Sequence, residues 1–229
     1  MRVAIVENTA ITHHGQIGVA LHERAALIDI YRPWRDGILP ARLAHDALIV
    51  LGGEQNALAD ATHPYLPALA DLMAHTAAAD RAVLGICLGS QILARGLGAQ
   101  NQIGGADEFG WHHVLTLTND DPVLSHLPPN FPIFEWHSDT YTLPPGSTHL
   151  ATSAKAPVQA FRAHRAAYGM QFHFEASCAV VADWHRLFGP KLDEMAPGWL
   201  QNHATHAQTL GPAADANGLA IARAWVAQV

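Results

Sequence analysis

Two short stretches of this chain carry residue types suited to chemistry. Residues 85–89 read Gly-Ile-Cys-Leu-Gly, with Cys87 between glycines at −2 and +2. That is the spacing of a nucleophile elbow, where a strand turns sharply into a helix and holds its central residue in a strained conformation. Side chains at the flanking positions would collide in so tight a turn, which is why glycine is needed there. A cysteine at the start of a helix also sits at the positive end of the macrodipole, which favours the thiolate. Glycine-rich strand–helix turns are common, however, and cysteine is a frequent small core residue. On this pattern alone the structural and catalytic readings of Cys87 are balanced.

A thiol nucleophile needs a base, and the base needs an orienting partner. Residues 171–175 read Gln-Phe-His-Phe-Glu. On an extended strand His173 and Glu175 would share one side, with Phe172 and Phe174 facing the core. A short turn at the strand end would let the carboxylate orient the imidazole. Acyl chemistry also needs donors for a developing oxyanion. The backbone N–H of Leu88, next after Cys87, is one candidate. The Leu51-Gly52-Gly53-Glu54 turn offers a second at Gly53, provided that its strand ends beside that of Cys87.

The elements that must position these residues are legible in outline. β-branched and apolar runs predict strands over Arg2–Val6, Ala26–Tyr31, Ala47–Leu51 and Ala82–Ile86. Helical spacing or character covers His14–Arg24, Pro64–Ala79 and a segment beginning at Gln91–Gly96. Strands alternating with helices imply βαβ units and a parallel sheet. The runs Ala-Leu-Ile-Val-Leu and Ala-Val-Leu-Gly-Ile are continuously apolar, as strands buried on both faces must be. From Gly104 to Phe174 the segments become short and strand-like, predicting a mixed or antiparallel extension of the same sheet. Helices are expected at Val180–Phe188 and Ala213–Val229. The expectation is one domain spanning residues 1–229.

Composition narrows the function classes. The 229 residues carry a net charge of −7 and no Lys/Arg cluster, so nucleic acid is not an expected partner. No apolar run reaches the roughly 20 residues of a membrane span. The opening Met-Arg-Val-Ala-Ile-Val lacks a long apolar leader, so the expected compartment is the cytoplasm. Two cysteines, Cys87 and Cys178, make no CxxC pair and no disulfide scaffold. The sixteen histidines are scattered, which argues against a dedicated metal tract. Cys178 reads as structural, and Glu108 and Trp111 as residues that shape the sheet extension. There is no P-loop with a Walker lysine, so neither ATP chemistry nor any cofactor or metal is expected within the chain.

The order Val-Leu-Gly-Gly-Glu, Gly-Ile-Cys-Leu-Gly-Ser-Gln, Glu-Trp-His-Ser-Asp and Gln-Phe-His-Phe-Glu resembles the class I glutamine amidotransferases. Within them it is most similar to a stand-alone group related to the glutaminase domain of GMP synthase. The resemblance runs from the first strand to the helix after Glu175. It implies a three-layer α/β fold, flavodoxin-like, with an open and mostly parallel sheet. It implies a Cys87–His173–Glu175 triad, oxyanion donors at Gly53 and Leu88, and contacts to the amino-acid head group from Gln91, His137, Ser138 and Asp139. Cys87 would attack the side-chain amide of glutamine, or a γ-glutamyl bond. Water would then release glutamate from a thioester. No synthetase domain follows, so ammonia would pass to a separate synthetase subunit. The alternatives are a stand-alone γ-glutamyl peptidase or transferase and a catalytically silent regulatory subunit. The chain departs from the family pattern at Phe174 and Glu54, where proline is usual.

Overall fold

The computed structural model describes residues 1–40 and 42–229. The first half runs β1 (Arg2–Val6), α1 (Gly15–Glu23), β2 (Leu27–Tyr31), α2 (Pro33–Asp36), β3 (Ala47–Val50), α3 (Leu66–Ala78), β4 (Ala82–Ile86) and α4 (Leu88–Gly96). The strand-rich part follows as β5 (Asn101–Gln102), β6 (Glu108–Thr116), β7 (Asn130–His137), β8 (Thr140–Tyr141), β9 (Thr148–Thr152), β10 (Ala160–Ala163) and β11 (Ala167–Met170). Three helices close the chain: α5 (Cys178–Met195), α6 (Trp199–Thr209) and α7 (Gly211–Val226). Among the described residues no helix is long and apolar enough to cross a membrane.

Nine strands form one sheet in the order β2-β1-β3-β4-β11-β10-β9-β6-β7. The first five are mutually parallel, and the remaining pairings are antiparallel. The predicted extension is therefore real, and it joins the parallel half through β11, which lies beside β4. Alternate residues of the parallel strands feed two cores. Val3, Ile5, Ile49, Leu84 and Ile86 face α1 and α7, through Ile17, Leu21 and Trp225. Ala4, Val6, Leu48, Val50 and Val83 face α3 and α4, through Leu69, Met73 and Ile92. Covering both faces requires the continuous apolar runs that the sequence shows. A third cluster seats α5 and α6 on β6 and β7, with Trp111, Phe134, Trp184 and Trp199 at its centre.

Strands β1 and β4 occupy their predicted spans, but the helices differ from theirs. Helix α4 begins at Leu88 rather than Gln91, because Cys87 is itself the cap residue. Helix α5 extends to Met195 with Pro190 inside it, well past the predicted end at Phe188. Helix α6 has no counterpart in the sequence reading. It is polar along most of its length and is anchored by the buried Trp199.

The two elbow glycines answer to specific contacts. A Cβ on Gly85 would lie 2.3 Å from the Gly89 carbonyl oxygen, and one on Gly89 would lie 2.0 Å from that of Val50. The first turn of α4 thus presses on β3 and β4 through bare backbone. Gly89→Ala is expected to destabilise the protein by about 3 kcal/mol, because neither backbone can yield. An unchanged denaturation midpoint would show that the elbow is looser than these distances require.

Candidate active site

The parallel pairing brings four strand ends to one edge. Val6 pairs with Val50, Val50 with Gly85, and Ile86 with Met170. The residues just beyond them, Asn8, Gly52 and Gly53, Cys87, and His173 with Glu175, therefore converge. Ligands of open α/β sheets bind outside this carboxyl edge.

Cys87 sits at φ 51°, ψ −111°, a left-handed conformation that a side chain adopts only under constraint. Its N–H donates to the Met170 carbonyl at 2.8 Å, which ties the elbow to β11. The residue is only 7% exposed, and its thiol faces the Trp136 carbonyl at 3.6 Å. Cys87 lies at the N-terminus of α4, where the unpaired N–H groups of the first turn stabilise a developing anion.

His173 and Glu175 do not share a strand. Strand β11 ends at Met170, and both residues lie in the turn that follows. The chain leaves the β11 ladder to bridge β7, where the His173 N–H donates to the Phe134 carbonyl at 2.8 Å. The next turn then brings the Glu175 carboxylate to His173 Nδ1 at 2.6 Å. A carboxylate only accepts, so Nδ1 carries a proton and Nε2 is the nitrogen left to face the sulfur. Burial opposes the charged imidazole, but the negative charges of Glu175 and Cys87 more than offset it. They hold His173 well above the usual histidine range. Phe172 and Phe174 fill the core as expected.

The backbone of Glu175 is pinned from the start of α1. Its carbonyl accepts from the Gln16 N–H at 2.9 Å. Gly15, at φ +46°, passes so close that a Cβ there would lie 1.8 Å from the same oxygen. This support comes from a distant part of the chain and left no pattern in the sequence.

The Gly52-Gly53 turn lies against the pair. A Cβ on Gly52 would stand 3.3 Å from the His173 ring and 3.6 Å from Cys87 Cβ. A Cβ on Gly53 would stand 2.8 Å from a Leu88 side-chain carbon and 2.9 Å from Asn8 Cβ. Asn8 anchors this turn by donating from Nδ2 to the Leu51 carbonyl at 2.8 Å and accepting from the Tyr65 hydroxyl at 3.1 Å. Gln55 donates to that hydroxyl at 2.6 Å. Asn8, Gln55 and Tyr65 escaped the sequence reading because isolated polar residues carry no spacing signal.

Gln91 and the turn after β7 form the opposite wall. Gln91 Nε2 donates to the Asp139 carbonyl and to Gln171 Oε1, both at 3.3 Å. The Asp139 carboxylate accepts the Gly104 N–H at 2.8 Å, and Ser138 is exposed beside it. The His137 ring is 1% exposed and engaged at both nitrogens. Nδ1 faces the Asp139 carbonyl at 3.1 Å, and Nε2 faces Glu108 and Glu135 at 3.3 Å each. Because each partner is an acceptor, both nitrogens carry protons. Burial works against this charge, but the two carboxylates push His137 up to about 10. The ring is thus taken up by its own neighbours, and Ser138, Asp139 and Gln91 are the groups left to meet a ligand. Glu108, Glu135 and His137 also form the one metal-capable cluster among the described residues. Glu108 Oε2 in this cluster is also occupied by Ser153 and Gln159 at 2.8 and 2.7 Å.

These walls enclose a cavity of about 400 Å³ that contains Cys87, His173, Gln91 and Asp139. The profile of the glutamine amidotransferase class-I family matches residues 20–182. The chain belongs to this family. It is 30% identical over 188 residues to the glutamine amidotransferase-like protein YfeJ of Salmonella typhimurium, covering 79% of this chain and 78% of that one. It is 38% identical over 102 residues to one of the subunits of the glutamine-hydrolysing GMP synthase of Haloarcula marismortui, covering 43% of this chain and 53% of that protein. Among solved structures, a glutamine amidotransferase from Thermotoga maritima superposes with a TM-score of 0.86 at 25% identity, over 99% of this chain and 96% of the other.

Two departures from the class-I amidotransferase pattern now have locations. Phe174 lies in the turn rather than a strand, and its buried ring needs no backbone donor there. Glu54 borders the cavity. Its carboxylate is 3.4 Å from the Thr9 hydroxyl and 3.9 Å from Lys191 Nζ, at the rim of the cavity. Cys178, also at a helix N-terminus, provides a contrast with Cys87. Its backbone N–H donates to the Asp215 carboxylate at 2.9 Å. Burial, reinforced by that carboxylate, pushes its thiol up to about 11. It is a protonated, structural thiol at neutral pH.

Proposed function

We propose that this class-I amidotransferase hydrolyses a γ-glutamyl amide through a Cys87–His173–Glu175 triad. The observation that carries this reading is the 2.6 Å contact of His173 Nδ1 with Glu175, made beside a cysteine held in a strained elbow. Cys87 Sγ, its proton already held by His173, attacks the γ-carbonyl carbon. The C–N bond then breaks as His173 protonates the departing nitrogen, leaving a γ-glutamyl thioester. Water adds to that thioester and gives its proton to His173. The C–S bond breaks, glutamate leaves, and sulfur departs as the thiolate beside the protonated His173. Gly53 and Leu88 donate their N–H groups to the oxyanion of each tetrahedral intermediate. Gln91, Ser138 and Asp139 take the amino-acid head group, while His137 positions their turn from behind.

Where the substrate is glutamine itself, the ammonia released would serve a separate synthetase, the arrangement suggested by the likeness to a GMP synthase subunit. The test is incubation of the purified protein with glutamine and a panel of γ-glutamyl amides, with glutamate measured. Glutamate release is the expected result. No turnover of any member, with no labelling of Cys87 by a diazo-ketone glutamine analogue, would refute the reading in favour of a silent regulatory subunit. Turnover only on adding a synthetase would favour the subunit role.

A further inference from the structure

Helix α5 lines the cavity with one face. Trp184, Phe188, Lys191 and Met195 recur at i, i+4, i+7 and i+11, and all four border the cavity. The Trp184 ring packs edge-on against the His173 imidazole with centroids 5.4 Å apart. Trp136 joins it at 5.1 Å and meets Phe188 at 5.7 Å. The group that would protonate the leaving nitrogen is therefore backed by a continuous aromatic wall. The polar groups Gln91, Ser138 and Asp139 lie on other elements of the cavity.

A general acid must lie within hydrogen-bond reach of the nitrogen that it protonates. Whatever that nitrogen carries must then extend along the wall beside His173. Ammonia carries nothing and has no use for such a surface, whereas an apolar amine would bury its body there. Met195 reaches the rim and is 45% exposed, although unbranched and able to adapt to varied shapes. The rim charges, Glu54 and Lys191, oppose one another at 3.9 Å. Together they select no net charge on the emerging tail.

We infer that the aromatic face of α5 is a leaving-group subsite, and that the preferred substrates are γ-glutamyl amides of neutral apolar or aromatic primary amines. This rests on the roles of Cys87 and His173 proposed above. In the overall reaction the amide C–N bond breaks, water supplies the hydroxyl of the new carboxyl group, and the amine leaves with the proton from His173. No co-reactant beyond water is needed.

The experiment compares kcat/KM for glutamine, γ-glutamylmethylamide and γ-glutamylphenethylamide in the native protein and in Phe188→Ala and Met195→Ala. The phenethylamide is expected to exceed both others by about tenfold or more, the scale on which apolar pockets discriminate. Its advantage over glutamine should shrink severalfold in each variant. Met195→Ala changes an exposed side chain, so it reports even if Phe188→Ala folds poorly. Turnover of glutamine equal to or better than that of the phenethylamide would overturn the subsite while leaving the triad in place. So would an aromatic preference unmoved in both variants. Absence of all turnover would remove the triad reading and the subsite with it.

Discussion

Cys87→Ala is expected to abolish glutamate release from every γ-glutamyl amide, lowering kcat/KM by at least about 10⁴-fold. The only other thiol of the chain, Cys178, cannot substitute. It lies on the far side of the turn after Glu175, where burial and Asp215 push it up to about 11. Alanine keeps the Gly85 and Gly89 contacts that shape the elbow, so the variant should melt within a few degrees of the native protein. A diazo-ketone glutamine analogue should label native Cys87 alone, and the variant not at all. Residual turnover above a few per cent would take Cys87 out of the proposed role.

The second large effect is expected at its neighbours. His173→Ala should lower kcat/KM by about 10³- to 10⁴-fold, and Glu175→Gln by about 10²- to 10⁴-fold, because the amide neither holds the imidazole in the required tautomer nor stabilises its charge. A pH profile separates orientation from simple structural damage. The proton that His173 donates is lost as pH rises through its pKa, so activity has a limb on the basic side. Burial alone would bring that limb to lower pH, but Glu175 and Cys87 hold His173 well above the ordinary histidine range. The native limb should thus lie above neutrality, and in Glu175→Gln it should move to lower pH. A limb that stays in place would assign the titration to another group.

The Glu108–His137–Glu135 cluster shows why the cavity wall after β7 holds its shape. Glu135 and His137 belong to β7, and Glu108 lies directly across from His137 on β6. The register of the antiparallel pair sets Glu108 beside the buried imidazole, and the two-residue period of β7 sets Glu135 on the same face, so both carboxylates meet Nε2. The strand that carries this cluster also gives the Trp136 carbonyl that faces Cys87 and the Phe134 carbonyl that catches His173. The sheet extension thus holds both halves of the site.

What the sequence determined by itself is local or periodic. The glycines around Cys87 are demanded within a single turn, so the elbow is visible in five letters. The parallel strands must be apolar at every position, because helices cover both faces, and their runs stand out for that reason. His173 and Glu175 were recognisable as partners because they are two residues apart, although their place beyond the end of the strand was not.

What only the tertiary structure decided depends on residues far apart in the chain. Gly15 supports the Glu175 backbone from the start of α1, and Asn8 and Tyr65 brace the Gly52-Gly53 turn from two other segments. Helix α5 runs past Gly189-Pro190 because its apolar face packs on β6 and β7. A proline costs an interior hydrogen bond that local propensity would not forgive. That continuation carries Lys191 and Met195 to the cavity rim, so the shape of the leaving-group side follows from packing rather than from any pattern along the chain.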